Sequence, residues 1–323
     1  MKAAVMYPGG GLPQYTEVDE PRIQHDNEIL ATVKAVAVKH LDKGIASGKH
    51  YSSARLPETA RIPGSDGVCL LSDGTRVYGM GVSGMMAEKA TIHKDRIVGI
   101  PDGLDDATAA ALPNAVVGAA MGLKFKAEIQ AGDTVLINGA TGVTGRVAIQ
   151  LARYYGAKKV IGTGRNQQSL SELLALGADE TIAITGDDAR FKAQLEVLHE
   201  TTPVNIVIDY LWGRTAELIL SVLKGNGMFT NPVRYVSAGS MSGDLIQLSA
   251  AIMRSVDLQL TGSGMGSWPR EHVQKAFTEI LPEAFRLAAE GKLKLETTTA
   301  KLSDIADLWQ LDIPGGNRLV VIP

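Results

Sequence analysis

The stretch Val135–Gly145, VLINGATGVTG, constrains the chain more than any other. Val135, Leu136 and Ile137 form a short apolar run with β-branched members, bounded by Asp133 and Gly139. A run of that kind between turn residues reads as a buried strand. Gly139, Ala140, Gly142 and Gly145 follow. Val147, Ala148, Leu151 and Ala152 then recur at helical spacing as far as Tyr155, and Gly156 closes the helix. A strand, a glycine turn and a helix start in that order form the setting that a dinucleotide fingerprint needs.

The chemistry of such a turn follows from the backbone. A pyrophosphate needs bare N–H groups and a positive field, and the first turn of a helix offers both because its N–H groups lack intrahelical partners. Gly142 has no Cβ, so the backbone can approach a phosphate, and Gly145 lets the helix pack close to the strand. The pattern is A-x-G-x-x-G, with Ala140 where a first glycine is usual. Ala140, Thr141, Gly142, Val143, Thr144 and Gly145 are therefore the expected phosphate contacts. The competing reading is a strand-to-helix turn that binds nothing.

Around this turn the texture of the chain changes twice. Up to about residue 112 it is β-rich and irregular, with strands expected at Lys2–Met6, Glu28–Val38 and Thr75–Tyr78. His40, Asp42, Lys43, His50 and Tyr51 are expected to share a loop after Val38. Alanine-rich helices are expected at Asp105–Leu112 and Ala115–Leu123, broken by Pro113-Asn114. Strands and helices then alternate. The strands are Thr134–Asn138, Lys159–Thr163, Glu180–Ile184, Asn205–Asp209, Gly227–Val236 and Gln259–Gly262. The helices lie near Thr144–Tyr155, Ser169–Leu176, Ala189–Thr201 and Arg214–Leu223. That alternation implies an α/β, doubly wound parallel sheet covered on both faces. A helix over Arg270–Gly291 leaves it, and strands at Lys292–Thr298 and Arg318–Ile322 are expected to return to the first region.

The 323 residues are enough for two cores. The formal net charge of −3 gives no electrostatic case for nucleic acid or an anionic membrane. No apolar run reaches the length of a membrane span, and the N-terminus has no signal-peptide core. One cysteine, Cys69, allows neither an internal disulfide nor a multi-cysteine zinc site, which fits a cytoplasmic location.

Several motifs together resemble the medium-chain dehydrogenase/reductase superfamily, in its zinc-less, zeta-crystallin-like quinone oxidoreductase branch. They are the opening MKAAV, Pro63-Gly64-Ser65-Asp66-Gly67, Ala87-Glu88-Lys89-Ala90, Leu112-Pro113-Asn114, the turn NGATGVTG, Leu176-Gly177-Ala178-Asp179 and the closing Asn317-Arg318-Leu319-Val320-Val321. The resemblance implies a GroES-like β-rich catalytic domain over residues 1–112, an inserted Rossmann NADP-binding domain over 113–266, and a return to the catalytic domain over 267–323. It also implies a homodimer or homotetramer. Zinc-dependent members carry a cysteine after the strand that ends here at Val38 and a His-Glu pair in the glycine turn. These positions read Lys39 and Ser65-Asp66. His40, Asp66 and Cys69 are the residues left from which a metal site could be assembled.

Cofactor choice rests on the end of the second strand of the doubly wound sheet. NAD enzymes place Asp or Glu there, about 20 residues past the glycine turn, for the ribose 2′-hydroxyl. This chain reads Thr163-Gly164-Arg165-Asn166. A guanidinium pairs with a 2′-phosphate where a carboxylate repels it, so NADPH is expected on Arg165, with Thr163, Gly164 and Asn166 beside it. By family position, Asn114, Tyr210, Ala238, Gly239 and Ser263 join the cofactor site, and Arg318 is a second phosphate candidate. Bound nicotinamide implies hydride transfer to a small quinone or α,β-unsaturated carbonyl, with the proton from water or a side chain. Tyr51 is the donor expected first, with Lys39 and Asp42 beside it. The alternatives are an alcohol dehydrogenase or enoyl-thioester reductase of the same fold, and an NADPH-binding protein without turnover.

Overall fold

The computed structural model of the chain describes residues 1–48, 58–225, 230–311, 313 and 316–323. Two compact units result: Met1–Pro113 together with Phe277–Pro323, and Asn114–Ala276, which is inserted between them in sequence.

The first unit is built on a sheet in the order Thr297–Lys301, Arg318–Ile322, Glu28–Ala37, Asp66–Leu70, Arg76–Gly81, Lys89–Gly99. Glu28–Ala37 also pairs with Lys89–Gly99, which closes the last four strands on themselves. Closure removes free edges from that part of the sheet. Its pairs are antiparallel except Thr297–Lys301 with Arg318–Ile322. The core is aliphatic and includes Val33, Val36, Cys69, Met85, Ile92 and Val321, all buried. Burial of one such Ile or Val side chain contributes about 1.5–3 kcal/mol.

The second unit is a parallel sheet of six strands, in the order Leu258–Gly262, Val233–Ser237, Ile206–Asp209, Thr134–Asn138, Lys159–Gly164, Glu180–Ala183. Counted along the chain, this is the order 3-2-1-4-5-6 seen from the other edge. Such a sheet binds ligands where the strand order reverses, beyond the carboxyl ends of its strands. Here the reversal falls between Thr134–Asn138 and Ile206–Asp209, with Asn138 and Asp209 in register.

Four local expectations are corrected. His40–Ala46 is a helix rather than a loop, because Asp42 turns back and its Oδ2 accepts the Lys39 backbone N–H at 3.1 Å. Asp106–Ala120 is one helix with Pro113 inside it. The bond lost at the proline is outweighed by burial of Ala109, Leu112, Val116 and Ala119. The strand expected at Lys292–Thr298 is Thr297–Lys301, set by pairing with Arg318–Ile322. Arg270–Gly291 is interrupted by a π-helical turn at Ala276–Ile280, just before Pro282. No helix among the described residues is long and apolar enough to cross a membrane.

Candidate functional site

In the second unit, three glycines of the turn answer to three different demands. Gly139 has φ +85°, and a Cβ there would sit 2.9 Å from the Leu211 side chain. Gly145 has the helix against the strand: a Cβ would lie 2.5 Å from the Gly139 oxygen and 2.6 Å from Ala140 Cα. Gly142 has neither constraint. Its φ is −76°, it is exposed, and a Cβ would meet nothing within 4 Å among the described residues. It stands at the N-cap of the helix Val143–Tyr154, where no side chain caps the free N–H groups. The protein's own packing gives no reason for a glycine at 142. A ligand that needs the bare backbone does, and a pyrophosphate is such a ligand.

The turn is held from behind. Gly139 N–H donates to Thr163 Oγ1 at 3.1 Å and Ala140 N–H to the Thr163 carbonyl at 2.7 Å. Arg146, which is buried, donates from Nε to the Thr141 carbonyl at 3.1 Å and from its other end to Glu172 at 2.6 Å. Thr163 is thus corrected from a cofactor contact to a brace: its side chain is fully buried and also donates to Asn138 Oδ1 at 2.7 Å.

Asn138 extends this brace across the point where the strand order reverses. Its Nδ2 donates to Asp209 Oδ1 at 2.7 Å and to Thr215 Oγ1 at 3.0 Å. Asp209 also accepts from Tyr235 OH at 2.6 Å and from the Leu211 and Trp212 N–H groups at 2.8 and 3.0 Å. Burial, with the Asp209 charge added, pushes the Tyr235 hydroxyl well above its ordinary value, so it stays a donor. The carboxylate is therefore satisfied and ties three neighbouring strands together, with Thr163 of a fourth joined through Asn138. Sequence reasoning missed Asn138, Thr215 and Tyr235. The available signal was a polar residue closing an apolar strand at Asn138; Thr215, on the helix Gly213–Val222, and Tyr235, within Val233–Ser237, gave none.

The other expected cofactor residues fall as follows. Gly164 is buried against the Thr141 side chain. Arg165 comes next and is exposed, and among the described residues no carboxylate is paired with it. Asn166 is corrected in part: its Oδ1 accepts the Ser169 N–H at 2.8 Å and caps the helix Gln167–Ala175. Tyr210 carries a buried hydroxyl with no hydrogen-bond partner among the described residues, and burial raises its pKa. The N–H groups of Ala238 and Gly239 donate to the Asp209 carbonyl at 2.7 and 3.1 Å. Ser263 accepts from Trp268 Nε1 at 3.1 Å. Asn114 is half-buried in the helix that contains Pro113.

In the first unit, Lys39 and Asp42, the residues expected beside Tyr51 at the proton-donor site, are buried with Asp66. The Lys39, Asp42 and Asp66 side chains are 1%, 2% and 6% exposed. Lys39 Nζ is hydrogen-bonded to Asp66 Oδ1 and lies 3.4 Å from Asp42 Oδ2. Ser65 Oγ donates to Asp66 Oδ1 at 2.8 Å and lies 3.3 Å from Asp42 Oδ1, while Tyr78 OH donates to Asp66 Oδ2 at 2.7 Å. Burial raises the Asp66 carboxyl, but Lys39, Tyr78 and Ser65 more than offset it and hold the group below its ordinary value. Asp42 goes the other way, raised chiefly by burial. Arg318 is buried, its Nε has no hydrogen-bond partner among the described residues, and burial lowers its pKa against the opposing pull of Asp42 and Asp66. His40 is exposed, and Tyr51 and His50 lie outside the described residues.

Residues 143–283 match a family model described as zinc-binding dehydrogenase. A probable NADPH-dependent quinone reductase of Emericella nidulans is 26% identical over 96% of each chain. The quinone oxidoreductase of Sus scrofa is 35% identical over 49% of this chain and 50% of its own. The quinone oxidoreductase of Thermus thermophilus, whose crystal structures include a complex with NADPH, is 24% identical. It superposes with a TM-score of 0.80 over 100% of both chains.

Proposed function

The chain belongs to the medium-chain dehydrogenase/reductase superfamily, in its quinone oxidoreductase branch, and from that premise we propose that it is an NADPH-dependent reductase of quinones or α,β-unsaturated carbonyls. The observation that carries the cofactor reading is Gly142, a glycine that neither the backbone torsions nor the packing require. Arg165 adds the selectivity, as an exposed guanidinium without an ion-pair partner among the described residues, where an NAD enzyme keeps a carboxylate.

NADPH supplies the hydride when bound. The remaining work falls to the chain. The open face of Gly142 admits the pyrophosphate, and the first amides of the helix Val143–Tyr154 donate to it. Arg165 would hold the 2′-phosphate through its guanidinium. The Asn138–Asp209–Tyr235 network holds the strand ends still, so that none of these donors has to reorganise on binding. The proton comes from water or from Tyr51, the side chain named first for that role. A second copy of the chain is part of the reading. Among the described residues Leu258–Gly262 is an edge strand paired on one side only, and Met241 and Leu245 of the same unit are exposed. A monomer by sedimentation would overturn that part.

Fluorescence titration with NADPH and NADH tests the cofactor reading, with Trp212 and Trp268 of the second unit as donors. The wild type should prefer NADPH. Arg165→Ala should weaken NADPH by roughly 10- to 100-fold, the value of a charge-assisted bidentate pair, and leave NADH as it was. Equal losses for both cofactors would remove Arg165 from the site. Consumption of NADPH with a small quinone then separates a reductase from a protein that only binds the cofactor, and a strict need for thioester substrates would favour an enoyl-thioester reductase.

A further inference from the structure

The buried carboxylates of the first unit already have a cation, and it is part of the chain. We infer that the Lys39 ammonium occupies the place of a metal ion between Asp42 and Asp66, so that this member of a family described as zinc-binding has its site closed to zinc. The inference goes beyond the hydride chemistry and does not depend on it.

Three observations support it. First, three of the four carboxylate oxygens have a donor of their own. Asp42 Oδ2 has the Lys39 N–H, Asp66 Oδ1 has Lys39 Nζ and Asp66 Oδ2 has Tyr78, while the single Ser65 hydroxyl hydrogen is shared between Asp66 Oδ1 at 2.8 Å and Asp42 Oδ1 at 3.3 Å. A metal would have to displace all of them from an interior site. Second, a cation is already in place. Lys39 Nζ sits between Asp42 and Asp66, so a divalent ion added here would stand against a buried like charge. Third, the soft donors that zinc prefers are missing from the cluster. Cys69 is packed in the aliphatic core, where burial pushes its thiol to about 12, far from a thiolate. Among the described residues, no group of three His, Cys, Asp or Glu side chains is assembled that could hold a metal. Burial pulls the Lys39 pKa down, but Asp42 and Asp66 outweigh it and the net direction is up, so the cation persists at neutral pH.

The test has two arms, neither of which reads activity. Wild-type protein purified without added metal is assayed for zinc by plasma mass spectrometry, and its melting temperature is followed with added zinc and with a chelator. The expected result is well below one zinc per chain and a melting temperature that neither addition moves. One zinc per chain, or a chelator-sensitive melting temperature, overturns the inference. In the second arm, Lys39→Cys/Ser65→His replaces the ammonium by a thiol and sets an imidazole beside Asp66. This variant should take up one zinc per chain and melt higher with zinc than without. A variant that refolds only with zinc gives the same answer. A double variant that takes up no zinc, folded or not, counts against Lys39 as the group that closes the site.

Discussion

The glycine turn of the second unit and the charge cluster of the first are both sites made for charge, and they are built in opposite ways. The turn is backbone: its donors are free N–H groups, its walls are glycine hydrogens, and its residues are consecutive. The cluster is side chain: Lys39 meets Asp66 from 27 residues away and Tyr78 meets Asp66 from 12. The turn faces outward at Gly142 and leaves room for something else. The cluster is closed, and its cation is covalently attached. A backbone site can therefore admit a ligand at little cost to the fold, whereas a side-chain cluster that balances itself is part of the fold. Substitutions should sort along that line.

The largest loss belongs to the cluster. Lys39→Met keeps most of the side-chain volume but leaves two buried carboxylates with only Arg318 to balance them, and breaking a buried pair in this way costs about 3–5 kcal/mol. The ratio of NADPH to NADH affinity should stay as it was, since Lys39 is no part of the turn. The pH dependence carries a signature. The Lys39 pKa is raised above 10.5 in the folded state, so its contribution is present below that value and lost as pH rises through the folded pKa. The Asp66 pKa is lowered below 3.8, so its contribution is present above that value and lost as pH falls through the folded pKa. Asp42, raised by burial, has the opposite sign to Asp66 and reduces the gain at neutral pH. The stability gap between wild type and Lys39→Met, from urea unfolding, should thus be widest near neutrality and close toward both extremes. A gap that is flat from acid to alkali would show that the cluster contributes packing and not charge.

A smaller loss is expected inside the turn. Gly145→Ala puts a methyl 2.5 Å from the Gly139 oxygen and 2.6 Å from Ala140 Cα. Both are backbone atoms that cannot swing aside, so helix and strand must part, at about 1–3 kcal/mol. Because the same displacement moves the helix N-terminus, cofactor binding should fall together with the melting temperature. A variant that binds NADPH normally would show that the helix start does not contribute to the site.

What was legible in the sequence follows the same division. The strand, the turn and the helix start could be read because each demand on Gly139, Ala140 and Gly145 is local, and Arg165 could be read because its place follows from the strand before it. The parallel, doubly wound sheet followed from alternation, although the order of its strands did not. The burial of Lys39 and Arg318 could not be read for one shared reason: nothing local marks a charged residue as buried, and the groups that cover it arrive from other strands. Thr163 was placed correctly but given the wrong task, since nothing local shows that its hydroxyl turns back to Asn138 and Gly139. The Asn138–Asp209 bond spans 71 residues and only the strand order brings it about. Pro113 gave a local signal that burial of its neighbours overrode.

The smallest effect on the fold, and the sharpest test of the comparison, lies at Gly142. A methyl there meets no atom within 4 Å, and the φ of −76° suits any residue. Alanine is a poorer N-cap than glycine, which sets the cost at under about 1 kcal/mol. If Gly142 is kept for a ligand, Gly142→Ala should melt within a few degrees of wild type and yet bind NADPH and NADH more weakly, both by the same factor. The methyl obstructs the pyrophosphate that the two cofactors share, whereas Arg165→Ala acts on the one phosphate that distinguishes them. Fluorescence titration of both variants with both cofactors gives four affinities, and these separate the two roles. Should Gly142→Ala bind both cofactors as tightly as wild type, the open face at 142 would not be where the phosphates lie, and the turn would be a packing device like the rest of the strand end.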